Sequence, residues 1–99
     1  MRRSRIERYL DILKVVARHG PIKQTHIMYK ANLSWMELKR SLEHLTKSKM
    51  ITEIDDSSGL LYAISETGLS TIYNYEKVEK ILTGKDDQTI LTSASPWNF

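Results

Sequence analysis

The chain has 99 residues, enough for one domain and an appendage, and 40% of them are hydrophobic, enough for one compact core. With no cysteine it has no disulfide framework and no thiolate metal site, and no apolar run approaches the length of a membrane span. The net charge of +3 hides an asymmetry: residues 1–50 carry twelve Lys and Arg against four acids (+8), and residues 51–99 carry three Lys against eight acids (−5). One half of such a chain suits a polyanion and the other half does not.

The first predicted element is a helix. Ser4-Arg5-Ile6-Glu7 has the S-x-x-E form of a capping box. Ile6, Leu10, Leu13 and Ala17 follow as an apolar stripe, widened by Tyr9, Ile12 and Val16, and Gly20-Pro21 ends it. A short second helix covers about Lys23 to Lys30, with Ile27, Met28 and Ala31 turned inward. Asn32 suits the left-handed turn that follows. Ser34-Trp35-Met36-Glu37 is a second capping box. It opens a third helix over residues 34 to 48, with Leu38, Leu42 and Leu45 on its buried face.

Two strands are expected next, Met50–Ile54 and Leu60–Ile64, joined by the turn Asp55-Asp56-Ser57-Ser58-Gly59. Ser65 caps a last helix running to about Leu82, with Gly84 beyond it. Leu69, Ile72 and Tyr73 are expected to pack on the domain, and Tyr75, Val78, Ile81 and Leu82 are left as a second apolar stripe suited to a partner helix, the alternative being that it folds back on the first helix. The polar stretch from Lys85 to Phe99 has no helical or strand period.

Helix, helix, turn, helix, hairpin, helix is the order of a winged helix-turn-helix: α+β, mainly α, with a three-helix core, a hairpin wing and a C-terminal helix. The expected division is a winged-helix domain over 1–65, a dimerisation helix over 66–84 and a flexible tail over 85–99.

The run Ile27-Met28-Tyr29-Lys30-Ala31-Asn32-Leu33-Ser34-Trp35 resembles the I-M-Y-x-A-N-L-S-aromatic run of a family of small archaeal winged-helix DNA-binding proteins, which includes chromatin-associated proteins and transcription regulators. Leu42-x-x-Leu45, Met50-Ile51 and Tyr62-Ala63-Ile64-Ser65-x-x-Gly68 continue the likeness over about residues 4 to 82. The resemblance implies a homodimer whose C-terminal helices pair antiparallel and whose two recognition helices address one duplex. Two features depart from it: the last helix is short, and the wing tip Asp55-Asp56-Ser57-Ser58 is acidic where a phosphate-tracking wing is basic.

Phosphate contacts from Lys and Arg dominate DNA affinity, and side chains on the exposed face of a groove-seated helix read sequence. The expected contact residues on the third helix are Ser34, Trp35, Met36, Lys39, Arg40 and Lys47. Lys23, Gln24 and Thr25 open the second helix, and Arg2, Arg3 and Arg5 form an N-terminal arm. Trp35 is equally suited to structural packing near Tyr29. No cofactor, metal site or enzymatic centre is expected. His19, His26 and His44 lack paired-ligand spacing, and the carboxylate pairs Asp55-Asp56 and Asp86-Asp87 sit in a turn and a tail.

The expected function is therefore a regulator that binds double-stranded DNA as a homodimer through its third helix. The alternatives are an architectural chromatin protein of low sequence specificity, or a protein-interaction module with a partner at the acidic wing or the C-terminal tail. Without a secretory signal, a cytoplasmic, nucleoid-associated location is expected.

Overall fold

The computed structural model describes residues 3–84. Four helices and one hairpin follow in chain order: α1 (Arg5–His19), α2 (Gln24–Ala31), α3 (Trp35–Lys47), β1 (Ile51–Asp56), β2 (Gly59–Ile64) and α4 (Glu66–Thr83). Both capping boxes form. Ser4 Oγ accepts from the Glu7 N–H at 3.1 Å and Ser34 Oγ from the Glu37 N–H at 3.2 Å, while each glutamate accepts from the N–H of its serine. α2 has no such device, because its N-cap residue, Lys23, carries no acceptor.

Two residues take the left-handed conformation without being glycine, Asn32 (φ 55°) and Lys49 (φ 61°). Asn32 makes the sharp turn between α2 and α3. Lys49 closes α3: its N–H donates to Thr46 O, and that of Met50 donates to Leu45 O, each at 3.0 Å. Met50 is thus part of the helix terminus rather than of β1, which starts one residue later than the sequence indicated.

The core gathers Ile12, Leu13 and Val16 of α1, Ile27 and Ala31 of α2, Leu38, Leu42 and Leu45 of α3, and Ile51 and Tyr62 of the hairpin. Burying each large apolar side chain contributes about 1.5–3 kcal/mol before entropy is counted. Ile6, expected in the stripe of α1, is exposed, and the buried face of α1 runs through Leu10, Ile12, Leu13 and Val16 instead. Met28 is only half-buried.

The hairpin pairs Ile51 with Ile64 through to Asp56 with Gly59, so the expected five-residue turn contracts to Ser57-Ser58. Asp56 Oδ1 tightens it by accepting from the Ser58 N–H at 2.8 Å and the Ser58 hydroxyl at 2.7 Å. Beyond Ile51 every residue of β1 is exposed. The wing is anchored at its base instead. Ile22 and Tyr62 exchange backbone hydrogen bonds at 3.0 and 2.9 Å, a short third bridge to the sheet that the sequence did not reveal.

Ser65 joins the hairpin to α4. Its Oγ donates toward Lys49 O and Met50 O and accepts from the Gly68 N–H at 3.0 Å. Gly68 lies so close to this junction that a Cβ would collide with the Met50 carbonyl and sit 2.6 Å from Ile64 Cδ1. α4 then lies against α1, where Ile72 packs on the core and Lys14 pairs with Glu76 at 3.6 Å. No described helix is long and apolar enough to cross a membrane.

Candidate nucleic-acid interface

With Leu38, Leu42 and Leu45 buried, the helical period turns Met36, Arg40, Glu43 and Lys47 outward at i, i+4, i+7 and i+11, with Lys39 beside them. All five are exposed. Ser34 is exposed at the helix start, but its hydroxyl is engaged in the cap. Trp35 is 48% exposed. Its ring lines a groove with Gln24, Lys39, Leu60 and Tyr62, so it faces the wing rather than Tyr29, which stands 76% exposed on α2.

Lys23 and Thr25 are exposed at the open N-terminus of α2, where unpaired backbone amides favour an anion. Gln24 is committed elsewhere: its amide donates to the Tyr62 hydroxyl at 3.0 Å. Burial holds the Tyr62 phenol above its usual pKa range, against the opposing effect of the Gln24 bond, so it stays protonated and docks the wing onto α2.

The expectation of an N-terminal arm fails for Arg3. Its guanidinium pairs with Asp11 at 2.7 Å and donates to Ala31 O at 2.7 Å and Asn32 O at 2.6 Å. It is a clamp that ties the start of α1 to the turn between α2 and α3. The sequence could not reveal it because both carbonyls lie about thirty residues away. Arg5 belongs to the first turn of α1 and is exposed. Arg2 lies outside the described residues, as does the segment 85–99.

The clamp and a stack between Tyr9 and His44 (ring centroids 4.8 Å apart, planes at 14°) hold α1 beside α3. Between them runs a notch of about 500 Å³ lined by Arg5, Arg8, Arg40, Met36 and Glu37. Arg8 escaped the sequence reading because it sits inside a capped helix. The available signal was its spacing of three from Arg5, which puts both on one face. On the other side of α3 Glu53 of the wing lines the groove with Trp35 and Lys39, and Asp55 and Asp56 stand exposed further along the hairpin. Hydrogen bonds from the Ser58 hydroxyl and N–H lower the Asp56 pKa, so the tip is anionic at neutral pH.

On α4, Val78 is 51% and Leu82 79% exposed, with Tyr75 partly exposed and Ile81 half-buried. Contrary to expectation, Leu69 and Tyr73 do not pack into the domain: they are 50% and 66% exposed. α4 meets the body along a narrow stripe through Gly68, Ile72 and Glu76, which leaves Leu69 and Tyr73 at the rim of a groove with Ala17 and Arg18.

Comparison with solved structures finds the same fold in Sso10a-2, a DNA-binding protein from Sulfolobus solfataricus, with a TM-score of 0.66 and 19% identity over 91% of this chain and 96% of that one. F93 from STIV, a winged-helix DNA-binding protein, has a TM-score of 0.66 and 15% identity over 82% of this chain and 95% of its own. The transcriptional regulator BldR from Sulfolobus solfataricus has a TM-score of 0.65 and 17% identity over 78% of this chain and 58% of its own. Comparison with curated protein sequences gave no significant match. A family described as winged helix-turn-helix matches residues 2–83, and the chain belongs to that family.

Proposed function

We propose that this protein binds double-stranded DNA as a homodimer, with α3 in the major groove, and acts as a transcription regulator. The observation that carries the proposal is the outward face of α3. Lys39, Arg40 and Lys47 stand exposed there beside Met36, on a helix whose opposite face is locked into the core. A guanidinium at Arg40 suits bidentate pairing with guanine, a contact that contributes about 1–3 kcal/mol of discrimination. Met36 and Trp35 offer apolar surface to thymine methyl groups. Lys23, Thr25 and the open amides of α2 face the backbone in this arrangement. The DNA-binding proteins that share the fold support the same reading.

The homodimer rests on α4. Tyr75, Val78, Ile81 and Leu82 form an apolar stripe at helical spacing that the body covers only in part, with Val78 and Leu82 the most exposed, and a two-fold pairing of such stripes is the commonest way to bury one. In this proposal residues 1–65 read DNA and residues 66–84 join the protomers.

Fluorescence anisotropy with random duplex, at low and moderate salt, tests binding, and light scattering on the same sample tests assembly. Each neutralised phosphate adds about −0.9 to the slope of log K against log salt. A steep slope from a dimer is expected. A protein that binds no duplex at low salt is not a DNA binder, and the acidic wing would then mark a protein-interaction module. A preference of about a thousand-fold for one site over random duplex separates a regulator from an architectural protein.

A further inference from the structure

We propose that the notch between α1 and α3 is a binding site for one DNA backbone phosphate, held by Arg5 and Arg8 with Arg40 at its edge, so that the protein grips the duplex on the α1 side of its recognition helix. The inference rests on the DNA-binding reading and adds an anchor that α3 alone does not provide.

Three guanidiniums and one carboxylate line the notch. The carboxylate, Glu37, is held at the α3 cap, where its Oε1 accepts from the Ser34 N–H at 3.0 Å, and its single negative charge leaves the three guanidiniums in excess. Arg5 and Arg40 make no ion pair or hydrogen bond among the described residues, so their forks are unspent. Arg8 is half-buried. Its Nη1 donates to Arg3 O at 3.0 Å, and its Nε is shielded from water with no acceptor. A half-buried donor with no acceptor is costly, and the charge of Glu37 does not supply that acceptor. A phosphodiester offers two non-bridging oxygens that share one negative charge, a pair that the planar fork of a guanidinium can engage bidentately.

The site is also preorganised. Arg3 fixes the start of α1 against the helix-turn-helix, and its carbonyl orients Arg8. The Tyr9–His44 stack sets the separation of α1 from α3. Because Met36 and Arg40 belong both to the notch and to the outward face of α3, a helix seated in the groove brings a phosphate strand past the opening. Arg3 is therefore a positioning residue, and Arg8 is a contact that a free-arm picture of the N-terminus misses.

The test compares Arg5→Gln, Arg8→Gln and Arg8→Lys with Arg18→Gln, which removes the same charge at the far end of α1, by anisotropy on random duplex across a salt series. Thermal melts are recorded for every variant. Losing the site should flatten the salt slope by about 0.9 and weaken binding roughly eight-fold at about 0.1 M salt for each protomer engaged. Arg5→Gln and Arg8→Gln should both show this loss, Arg8→Lys should keep the slope while losing part of the affinity, and Arg18→Gln should match the wild type. Arg5 is exposed, so its variant keeps the test open if Arg8→Gln fails to fold. If the wild type binds and both glutamine variants match Arg18→Gln, the notch is not a phosphate site, although the DNA-binding reading survives. If the wild type shows no salt-dependent binding, the DNA-binding reading fails and this inference fails with it.

Discussion

The two flanks of α3 are built in opposite ways. On one side α1 is clamped by Arg3 and presents Arg5 and Arg8 next to Arg40. On the other side the wing is docked through the Ile22–Tyr62 bridge and the Gln24–Tyr62 bond, and it presents Glu53, Asp55 and Asp56. Both flanks are held by long-range hydrogen bonds, so rigidity does not distinguish them. Charge does. Within a Debye length of about 8 Å, carboxylates repel a phosphate strand as effectively as guanidiniums attract it. Under the proposed function this contrast assigns the electrostatic grip to the α1 flank and leaves the wing as a structural brace.

A large effect on binding to a single site is expected where the two flanks meet, on α3 itself. Replacing Lys39 and Arg40 together by Ala should weaken duplex binding roughly a hundred-fold or more, at about 1–3 kcal/mol for a lost base contact plus a lost phosphate contact. The melting temperature should stay put, since both side chains are exposed. Retained affinity would place the binding face elsewhere and remove the basis of the comparison.

A second variant tests whether two copies of this asymmetric surface act together. Val78→Asp with Leu82→Asp should give a folded monomer in light scattering, and its affinity for a two-site duplex should fall by about the avidity factor of 10²–10⁴ at most. A dimer that persists would move the interface off this stripe, and the rim formed by Leu69 and Tyr73 would be the next surface to examine.

Asp55→Lys sharpens the contrast from the wing side. Asp55 carries no turn hydrogen bond, unlike Asp56, so the hairpin should survive its replacement. If the wing tip lies near the duplex, binding should tighten by up to about ten-fold with a steeper salt slope. No change means that the tip sits beyond screening distance, which leaves the α1 flank as the sole lateral grip.

The smallest effect is on stability. Glu7 and Glu37 have their pKa values lowered from 4.5, chiefly by the backbone N–H groups of Ser4 and Ser34 and next by the hydroxyls of those serines. A lowered folded-state value means stability that is present above the unfolded value and lost as pH falls through the folded one. Melts should therefore decline below about pH 4.5 in the wild type. They should decline less in Glu7→Gln with Glu37→Gln, because glutamine also serves as the third residue of a capping box.

The features legible in the sequence are those governed by local chemistry. Ser4, Ser34 and Ser65 mark three helix starts because a hydroxyl must accept an orphan amide within three residues. Asn32 marks the turn because few side chains tolerate its backbone conformation. The outward face of α3 follows from the period of its leucines. What escaped detection depends on residues far apart in the chain. Arg3 reads as a loose basic tip until Ala31 and Asn32 are brought to it. Gln24 reads as a helix-start contact until Tyr62 claims its amide. Leu69 and Tyr73 read as core until α4 settles on α1 along a stripe too narrow to cover them. The asymmetry of the two flanks is likewise invisible in a helical wheel of α3, because it depends on what is docked to either side.

The most direct test is an NMR titration of backbone amides with a short duplex at low salt. Binding through α3 and the α1 flank predicts the largest shifts over Trp35–Lys47 and Arg5–Tyr9, with Asp55–Ser58 nearly silent. Shifts concentrated on the wing tip, with α1 unaffected, would contradict it.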